Sequence, residues 1–459
     1  MEDITMRKIF QYIMLAVVTI VMASCTSDIE ETTATTGKSN VQLVVGEFPA
    51  FGDSQTRAIG TPDEGKTSWA EGDELLLVID NTSYGSHSAA FTYNGKSWKL
   101  TSGELVYREG DPAYIPHVYY APNYKWEAGK LVLKEGKVAG TDEYIEGKAI
   151  ITGNGETITV SFAEATRKYS RLRIATLPNE QITVDTEDFT PAGSSDMEQK
   201  GNYTLTSDEK GNAYLYGTFE NNSEVTVKYR EAALTTHTFS QATESAKSYA
   251  LDATVISANS AEEIKSAINQ EVANSKTAIR LNIASDAGDN EFEAIREAFE
   301  NVRSGTIDLT LIGCKEIPAD GLNNSFRELE ALKSITLPDV TKLGKRALIY
   351  CENLETVNAP KVTAIDQQAF YSCQKLEKVI LGTLTDVRGE VYSEDGIFNG
   401  ISILERQTDL YLPKNQEVMK GEFDENSNQY IWKPTGESYF ASPNGEFLGY
   451  QFKSVKSWE

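Results

Sequence analysis

The chain has 459 residues, a length typical of about three domains, and its composition is strongly acidic. Asp and Glu number 68 against 43 Lys and Arg, which gives a formal net charge of −25 at pH 7. A surface of that sign repels phosphate backbones and anionic lipids, so the composition argues against nucleic acid as a partner.

Residues 1–24 have the layout of a secretory signal peptide. Two basic residues precede an apolar run over residues 9–22, and the small residues Ala23 and Ser24 follow it. The run is too short for a comfortable membrane span. Cys25 comes directly after them, in a segment that resembles a lipobox, and this resemblance implies that Cys25 becomes a lipidated N-terminus. An ordinary cleaved signal peptide is the alternative.

Residues 25–40 are rich in Thr, Ser and Glu, a composition typical of a flexible tether. The acidic stub from Thr26 to Glu31 resembles the export signals of surface lipoproteins in gut and oral Gram-negative anaerobes. The resemblance implies a protein of the outer membrane that is exposed on the cell surface and touches the membrane through its lipid only.

Residues 41–255 are almost free of helical periodicity and contain many short, alternating apolar stretches. Glu74–Ile79, Thr157–Phe162 and Glu224–Tyr229 are the clearest of these predicted strands. Asn94-Gly95 is typical of a tight hairpin turn, because both residues tolerate a positive φ. The spacing predicts one or two β-sandwich domains.

This region resembles the fimbrillin-like proteins at several short motifs that occur in the same order. The motifs are Thr56-Arg57-Ala58, Trp69-Ala70-Glu71-Gly72-Asp73, Val118-Tyr119-Tyr120-Ala121-Pro122 and Ala213-Tyr214-Leu215-Tyr216-Gly217. The resemblance implies a pair of transthyretin-like β-sandwiches. It also implies a fimbrial subunit, an accessory subunit or a relative used as a surface lipoprotein.

Arg57 is the candidate site of proteolytic processing. In fimbrillins a trypsin-like protease cuts after an Arg near the N-terminus, and a partner's strand then fills the groove, so the resemblance implies cleavage here. An ordinary surface arginine is the alternative. Polymerising subunits generally donate a strand from a C-terminal end, which another domain occupies in this chain. The sequence therefore favours a tip, an anchor or a stand-alone adhesin over a repeating shaft.

The aromatic run from Tyr114 to Trp126 has two interpretations. Tyr and Trp faces stack on pyranose rings, so the run would suit a sugar-binding platform. Alternating aromatics beside Pro on strands are more often sandwich core, and we expect these residues to be core.

The pattern changes at residue 256. Ser260 and Glu263 form a capping-box pattern ahead of a predicted amphipathic helix, and a second helix is predicted from Asn290 to Val302. A strand is predicted over residues 306–312. We expect these elements to form the N-terminal cap that a solenoid needs.

The chain then repeats itself every 22 residues. Leu332–Leu348 matches Leu354–Phe370 in register, and the pattern continues into a third turn and, after a short insertion, into a looser turn at Leu410-Tyr411-Leu412-Pro413. A fixed period with apolar residues at fixed phase predicts a solenoid of stacked units. The repeat resembles BspA-type leucine-rich repeats over roughly residues 305–415, and Tyr450–Trp458 resembles the strand that closes such domains.

The outward residues of the repeated strands are the candidate ligand face. They alternate with or flank the core positions, so they can vary without disturbing the fold. The candidates are Lys333, Ser334, Thr336, Glu355, Thr356, Asn358 and Lys378. Such faces bind proteins or other surface molecules, and plain solvated strand residues are the alternative.

Cys351 and Cys373 lie one period apart, so they are expected to stack on adjacent turns. A disulfide is conceivable in an oxidising compartment. The same phase holds Leu329 in the preceding turn, which favours buried free cysteines.

The sequence contains none of the HExxH, GxSxG, Walker, GxGxxG or EF-hand motifs. It also lacks a CxxC or Cys/His cluster of the kind that holds zinc. We therefore expect no enzymatic activity, no metal and no cofactor.

The sequence thus predicts a multidomain, mainly β surface lipoprotein. It comprises a signal peptide (1–24), a tether (25–40), a fimbrillin-like β-sandwich region (41–255) and an α/β leucine-rich-repeat solenoid with a helical N-cap and a β C-cap (256–459). The leading hypothesis is an adhesin whose solenoid head binds an unidentified host or bacterial surface protein or matrix ligand. The alternatives are a fimbrial accessory or tip subunit joined to other fimbrial subunits by strand exchange, and a glycan-capturing surface lipoprotein.

Overall fold

The computed structural model describes residues 38–53, 66–81, 85–105, 113–152, 157–162, 167–230, 232–319, 326–391, 396–398 and 407–458. The predicted signal peptide, Cys25 and Arg57 lie outside the described residues, so the predictions on them stay predictions. Among the described residues, neither helix is long and apolar enough to cross a membrane.

The first eleven strands of the described residues contribute mainly to one large sheet. They are β1 (Lys38–Ser39), β2 (Gln42–Val45), β3 (Gly52–Asp53), β4 (Glu74–Asn81), β5 (Gly85–Tyr93), β6 (Trp98–Leu105), β7 (Ala113–Tyr120), β8 (Tyr124–Glu127), β9 (Lys130–Leu133), β10 (Ile145–Thr152) and β11 (Thr157–Ser161). Eight of them form the order β1-β6-β5-β4-β7-β10-β11-β2, while β8 and β9 pair as a separate hairpin. Alternation along β4 sends Leu75, Leu77 and Ile79 into one apolar cluster and Val78 into another on the opposite face.

The turn before β4 is held by an aromatic cluster. The Trp69 ring packs edge-on against Phe48 (4.9 Å) and Tyr120 (5.2 Å). The Tyr120 hydroxyl donates to Asp73 (2.9 Å), which also accepts from the Ala70 N–H. Tyr120 and Tyr124 are buried. This part of the aromatic run is therefore core, as expected, and offers no sugar platform.

A second sheet follows in the chain. Its strands are β12 (Ser170–Ala175), β13 (Gln181–Pro191), β14 (Glu198–Thr206), β15 (Asn212–Phe219), β16 (Glu224–Tyr229), β17 (Ala232–Thr238) and β18 (Lys247–Asp252). They form the order β17-β16-β13-β15-β12-β18-β3, with β14 paired to β13. Alternation over the first half of β13 buries Ile182 and Val184, and the fully buried Phe189 and Phe219 rings lie 4.4 Å apart.

Residues 38–53 connect the two sheets. Strand β2 pairs in parallel with β11 at the edge of the first sheet, and β3 pairs in parallel with β18 at the edge of the second. Between them the buried Arg167 donates to the Pro49 carbonyl (2.8 Å) and to Glu143 (2.5 Å). Its guanidinium lies 3.7 Å from the centre of the Phe51 ring. These contacts fix the segment in place.

The remaining elements include the two α-helices of the described residues. They are β19 (Ile256–Ser257), α1 (Ala261–Ala273), β20 (Ala278–Asn282), α2 (Asp289–Phe299), β21 (Ile307–Ile312), β22 (Glu316–Ile317), β23 (Leu332–Thr336), β24 (Lys342–Leu343), β25 (Thr356–Ala359), β26 (Ala364–Ile365), β27 (Lys378–Leu381), β28 (Asp386–Arg388), β29 (Asp409–Leu412), β30 (Glu417–Asp424), β31 (Gln429–Ser438), a 3-10 turn (Tyr439–Ala441), β32 (Glu446–Phe447), β33 (Tyr450–Gln451) and β34 (Ser454–Ser457).

Both predicted helices form, with small differences at their ends. Ser260 caps α1 by accepting from the Glu263 N–H (3.3 Å), but the Glu263 carboxylate accepts from Asn259 (2.8 Å) rather than from the cap residue itself. Helix α2 ends at Phe299, short of the predicted Val302.

The 22-residue repeat supplies one strand per period to each of two sheets. The first is parallel throughout, in the order β19-β20-β21-β23-β25-β27-β29-β34. The second runs β22-β24-β26-β28-β31-β30. Ile335, Val357 and Val379 stand side by side on adjacent strands of the first sheet, all fully buried. Residues one 22-residue period apart in the sequence therefore pair on adjacent strands of this sheet.

The cysteines of this region are free and buried. The Cys351 thiol donates to the Phe326 carbonyl (2.9 Å) and the Cys373 thiol to the Leu348 carbonyl (3.1 Å). Burial raises the pKa of Cys351 to about 12. The apolar interpretation of this position is confirmed, and the disulfide alternative is wrong for this structure.

The sheet formed by β12 to β18 with β3 packs directly against the repeat region. We call this contact the joint, defined by Arg230, Leu234, Arg280, Ile312 and Asp339. The Arg280 Nε donates to the Leu234 carbonyl (2.7 Å), and Ile312 belongs to the same apolar cluster as Leu234. The buried Asp339 faces Arg230 at 3.7 Å.

Candidate ligand face

The outward side chains of the parallel sheet form two rows, because paired residues on adjacent parallel strands point the same way. The first polar row consists of Asp308, Ser334, Thr356, Lys378, Asp409 and Ser454. The second polar row consists of Thr310, Thr336, Asn358, Ile380, Tyr411 and Lys456. Neighbouring members stand about 4.8 Å apart along each row.

The structure brings all seven predicted face residues together. Five lie in the two polar rows. The other two, Lys333 and Glu355, lie at the margin where the strands begin, and the Glu355 N–H donates to the Lys333 carbonyl (2.8 Å). Lys333 and Lys378 are exposed, whereas Ser334 and Asn358 are half-buried. The placement agrees with the prediction, while ligand binding by these residues stays a prediction.

The two ends of the face differ. At the N-terminal end Arg280 and Thr310 are buried, since the joint covers them. The Ser334 hydroxyl donates to the Asp308 carboxylate (2.5 Å). This carboxylate is therefore already hydrogen-bonded to its neighbour in the first polar row. The accessible part of the face therefore begins at about β23 and extends to β34.

The C-terminal end carries a group of side chains of which sequence reasoning named only Lys378 as part of the ligand face. We call Lys378, Lys453 and Lys456, together with Tyr411 and Asp409, the lysine cluster. The Lys378 and Lys456 ammonium nitrogens lie 5.1 Å and 5.5 Å from the centre of the Tyr411 ring. Asp409 faces Lys456 at 3.5 Å and Lys453 at 3.6 Å and accepts from the Ser454 hydroxyl.

The lysine cluster could not be predicted from the 22-residue spacing of the repeat. Asp409 follows Lys378 by 31 residues instead of 22, so nine additional residues lie between these two paired positions. Strand β34 comes later still, after the β30–β31 hairpin. The alternation in Leu410-Tyr411-Leu412 did mark β29 as a further strand of the repeat, but the insertion left its register against Lys378 undefined.

The electrostatics of the cluster favour a charged carboxylate among ammonium groups. The hydrogen bond from Ser454, followed by Lys456 and Lys453, lowers the pKa of Asp409 below its usual range. The cluster itself has three lysines and one aspartate, in a chain whose net charge is −25.

The described residues offer little to a metal or to a thiol nucleophile. No group of three or more His, Cys, Asp or Glu among them could hold a metal ion. Burial raises the pKa of Cys314 to about 12, so this thiol is not ionised near neutral pH.

Comparison with known families identifies the repeat. A family model described as "BspA type Leucine rich repeat region (6 copies)" matches residues 296–410, about a quarter of the chain. No curated protein matches the chain. No family model matches the fimbrillin-like segment, so that resemblance stays a prediction. The chain therefore contains a region of BspA-type leucine-rich repeats over residues 296–410, close to the span expected from its sequence.

Proposed function

We propose that this protein is a cell-surface adhesin or binding protein whose ligand docks on the two polar rows of the repeat region. Repeat regions of the BspA type are associated with surface adhesion or binding. One observation carries the proposal. Hydroxyl, amide and charged side chains stand in register on a sheet whose opposite face packs into the apolar core, so the display is rigid.

The rest of the chain takes its place in the same proposal. The repeats form a solenoid head, and residues 41–255 form a β-sandwich stalk. Lipid on Cys25 anchors the protein to the outer membrane, with the head outward. The joint supports this arrangement, because a buried hydrogen bond and shared apolar packing hold the head against its neighbour.

Adhesion of cells that display the full-length protein tests the proposal. We expect the double substitution Thr336→Arg and Asn358→Arg to reduce attachment to epithelial cells and to an array of matrix proteins by about tenfold or more, since two long charged side chains would cover the rows. The matched control is Thr363→Arg, an exposed threonine outside the two rows. Equal attachment of wild type and the double variant would contradict the proposal.

A second candidate, a fimbrial accessory or tip subunit, has its own support. Residues 38–53 supply edge strands to both sandwich-region sheets and lie just before Arg57. Cleavage there would separate β2 and β3 from the rest of the chain and leave β11 and β18 open to a partner's strand. This candidate predicts a new N-terminus at Ala58 and complexes that resist SDS until heated. A monomer in unheated SDS would count against it.

A further inference from the structure

The lysine cluster gathers three positively charged side chains at one end of the sheet. Lys453 and Lys456 are 59% and 49% exposed, and Lys378 is exposed as well. Screening limits interactions between exposed charges to about 8–10 Å at physiological salt, so a docking group responds to these lysines rather than to the chain's net charge. The cluster therefore attracts anionic groups to one end of an otherwise acidic protein.

Asp409 does not cancel this attraction. Its carboxylate is only 19% exposed and already accepts from Ser454 and faces two lysines. It therefore holds the ammonium groups in place, while their outer sides remain accessible to a ligand.

Two aromatic side chains lie at the same end of the sheet. Tyr411 stands between Lys378 and Lys456, and Trp458 follows β34 directly. The Trp458 N–H donates to the Leu412 carbonyl (3.2 Å), and its indole Nε1 donates to the Leu381 carbonyl (2.9 Å). The indole is therefore fixed across the ends of the strands, yet the residue remains 38% exposed.

We propose that this end of the ligand face binds an anionic polysaccharide, one that carries sulfate or carboxylate groups on pyranose rings. The lysines would pair with the anionic groups, and the fixed indole would stack on the apolar face of a sugar ring. An acidic peptide would use the lysines but has no need of an immobilised, exposed indole. The inference rests on the proposed function and specifies the class of its ligand.

Binding of defined polymers to the full-length protein tests this inference. The probes are dextran sulfate, neutral dextran of equal length and poly-glutamate, measured by biolayer interferometry at 50 and 300 mM NaCl. We expect dextran sulfate to bind most tightly, with an affinity that falls as salt rises. Neutral dextran should bind weakly or not at all.

Two variants separate the roles of charge and ring. Lys378→Gln with Lys456→Gln should weaken dextran sulfate binding by about tenfold and flatten its salt dependence. Trp458→Ala should weaken binding by a similar factor but leave the salt dependence as it was. The matched control is Lys420→Gln, an exposed lysine on β30 of the other sheet, which should bind like wild type.

The outcomes are distinct. Equal binding of poly-glutamate and dextran sulfate, with no effect of Trp458→Ala, would overturn the polysaccharide in favour of an acidic polypeptide. An undiminished affinity in the double lysine variant would overturn the site. If the adhesion of the Thr336→Arg, Asn358→Arg variant were lost while dextran sulfate never bound, the proposed function would stand and this inference alone would fail.

Discussion

The buried ion pair between Arg167 and Glu143 illustrates how strongly one residue can affect the stability of this chain. Arg167 and Glu143 are 2% and 3% exposed, and Arg167 also donates two hydrogen bonds to the Pro49 carbonyl. A charge this deep is tolerated only with its partner present, because an unpaired buried ion pays its full desolvation cost.

We therefore expect Glu143→Gln to destabilise the β-sheet region of residues 41–255 by about 3 kcal/mol. Urea unfolding monitored by tryptophan fluorescence measures the change. Glu146→Gln is the matched control, since its partner Lys168 is 58% exposed and such pairs contribute about 1 kcal/mol at most. Equal effects of the two substitutions would show that the buried pair is not special.

The cysteines support a second prediction at this scale. Cys314, Cys351 and Cys373 should react with Ellman's reagent only after denaturation, because their thiols are buried and their pKa values are raised. Thermal unfolding should be the same with and without dithiothreitol. A lower melting temperature in the reductant would indicate a disulfide after all.

At the scale of elements, the repeat is held together by contacts from one period to the next. Phe370 is fully buried and its ring is stacked on Phe398, 5.1 Å away. Each such contact joins two neighbouring units, and no unit buries its apolar side alone.

Phe370→Ala should therefore destabilise the repeat region by about 3–5 kcal/mol, the cost of a large cavity in a packed core. The exposed Lys375, five residues further on, provides the control, and Lys375→Ala should cost less than about 0.5 kcal/mol. Hydrogen exchange would locate the effect. Loss of protection confined to residue 370 would argue against coupling between periods.

At the scale of the whole molecule, Asp339 links the repeat region to the sheet formed by β12 to β18 with β3. It accepts from the Gly313 N–H (3.2 Å) and from Lys361 (3.2 Å), and it faces Arg230 across the joint. Burial by itself would raise the pKa of Asp339, but the Gly313 N–H and the ammonium groups of Lys361 and Lys315 outweigh it, so the pKa is lowered.

A lowered pKa means that the native state binds fewer protons than the unfolded state as pH falls. The stabilisation is complete above the ordinary aspartate pKa of about 4 and is lost as pH drops through the lower native value. Asp339→Asn should cost about 1–3 kcal/mol at pH 7 and should reduce the pH dependence below about 4. Melting temperatures of both proteins from pH 2.5 to 7 give the comparison. If the melting temperatures of the two proteins changed with pH in the same way, Asp339 would not be the source of the pH dependence.

Particular residues show how far the sequence could be read. Ile335, Val357 and Val379 share a period, so their burial and their pairing follow from the pattern alone. Ser334, Thr356 and Lys378 follow for the same reason, because outward neighbours of a periodic core position are themselves periodic. The positions of Asp409 and Lys456 beside Lys378 were not predicted. Strands can pair across an insertion, whereas a fixed spacing in the sequence is lost at one.

The sequence by itself determined the mainly β character, the two capping helices and the repeat with its buried cysteine positions. These are local or periodic properties, set by which side chains alternate and at what interval. Only the tertiary structure decided the lysine cluster, the burial of Arg167 and the joint around Asp339. Each of these joins residues that are far apart in the chain, and no local pattern records which distant segments will meet.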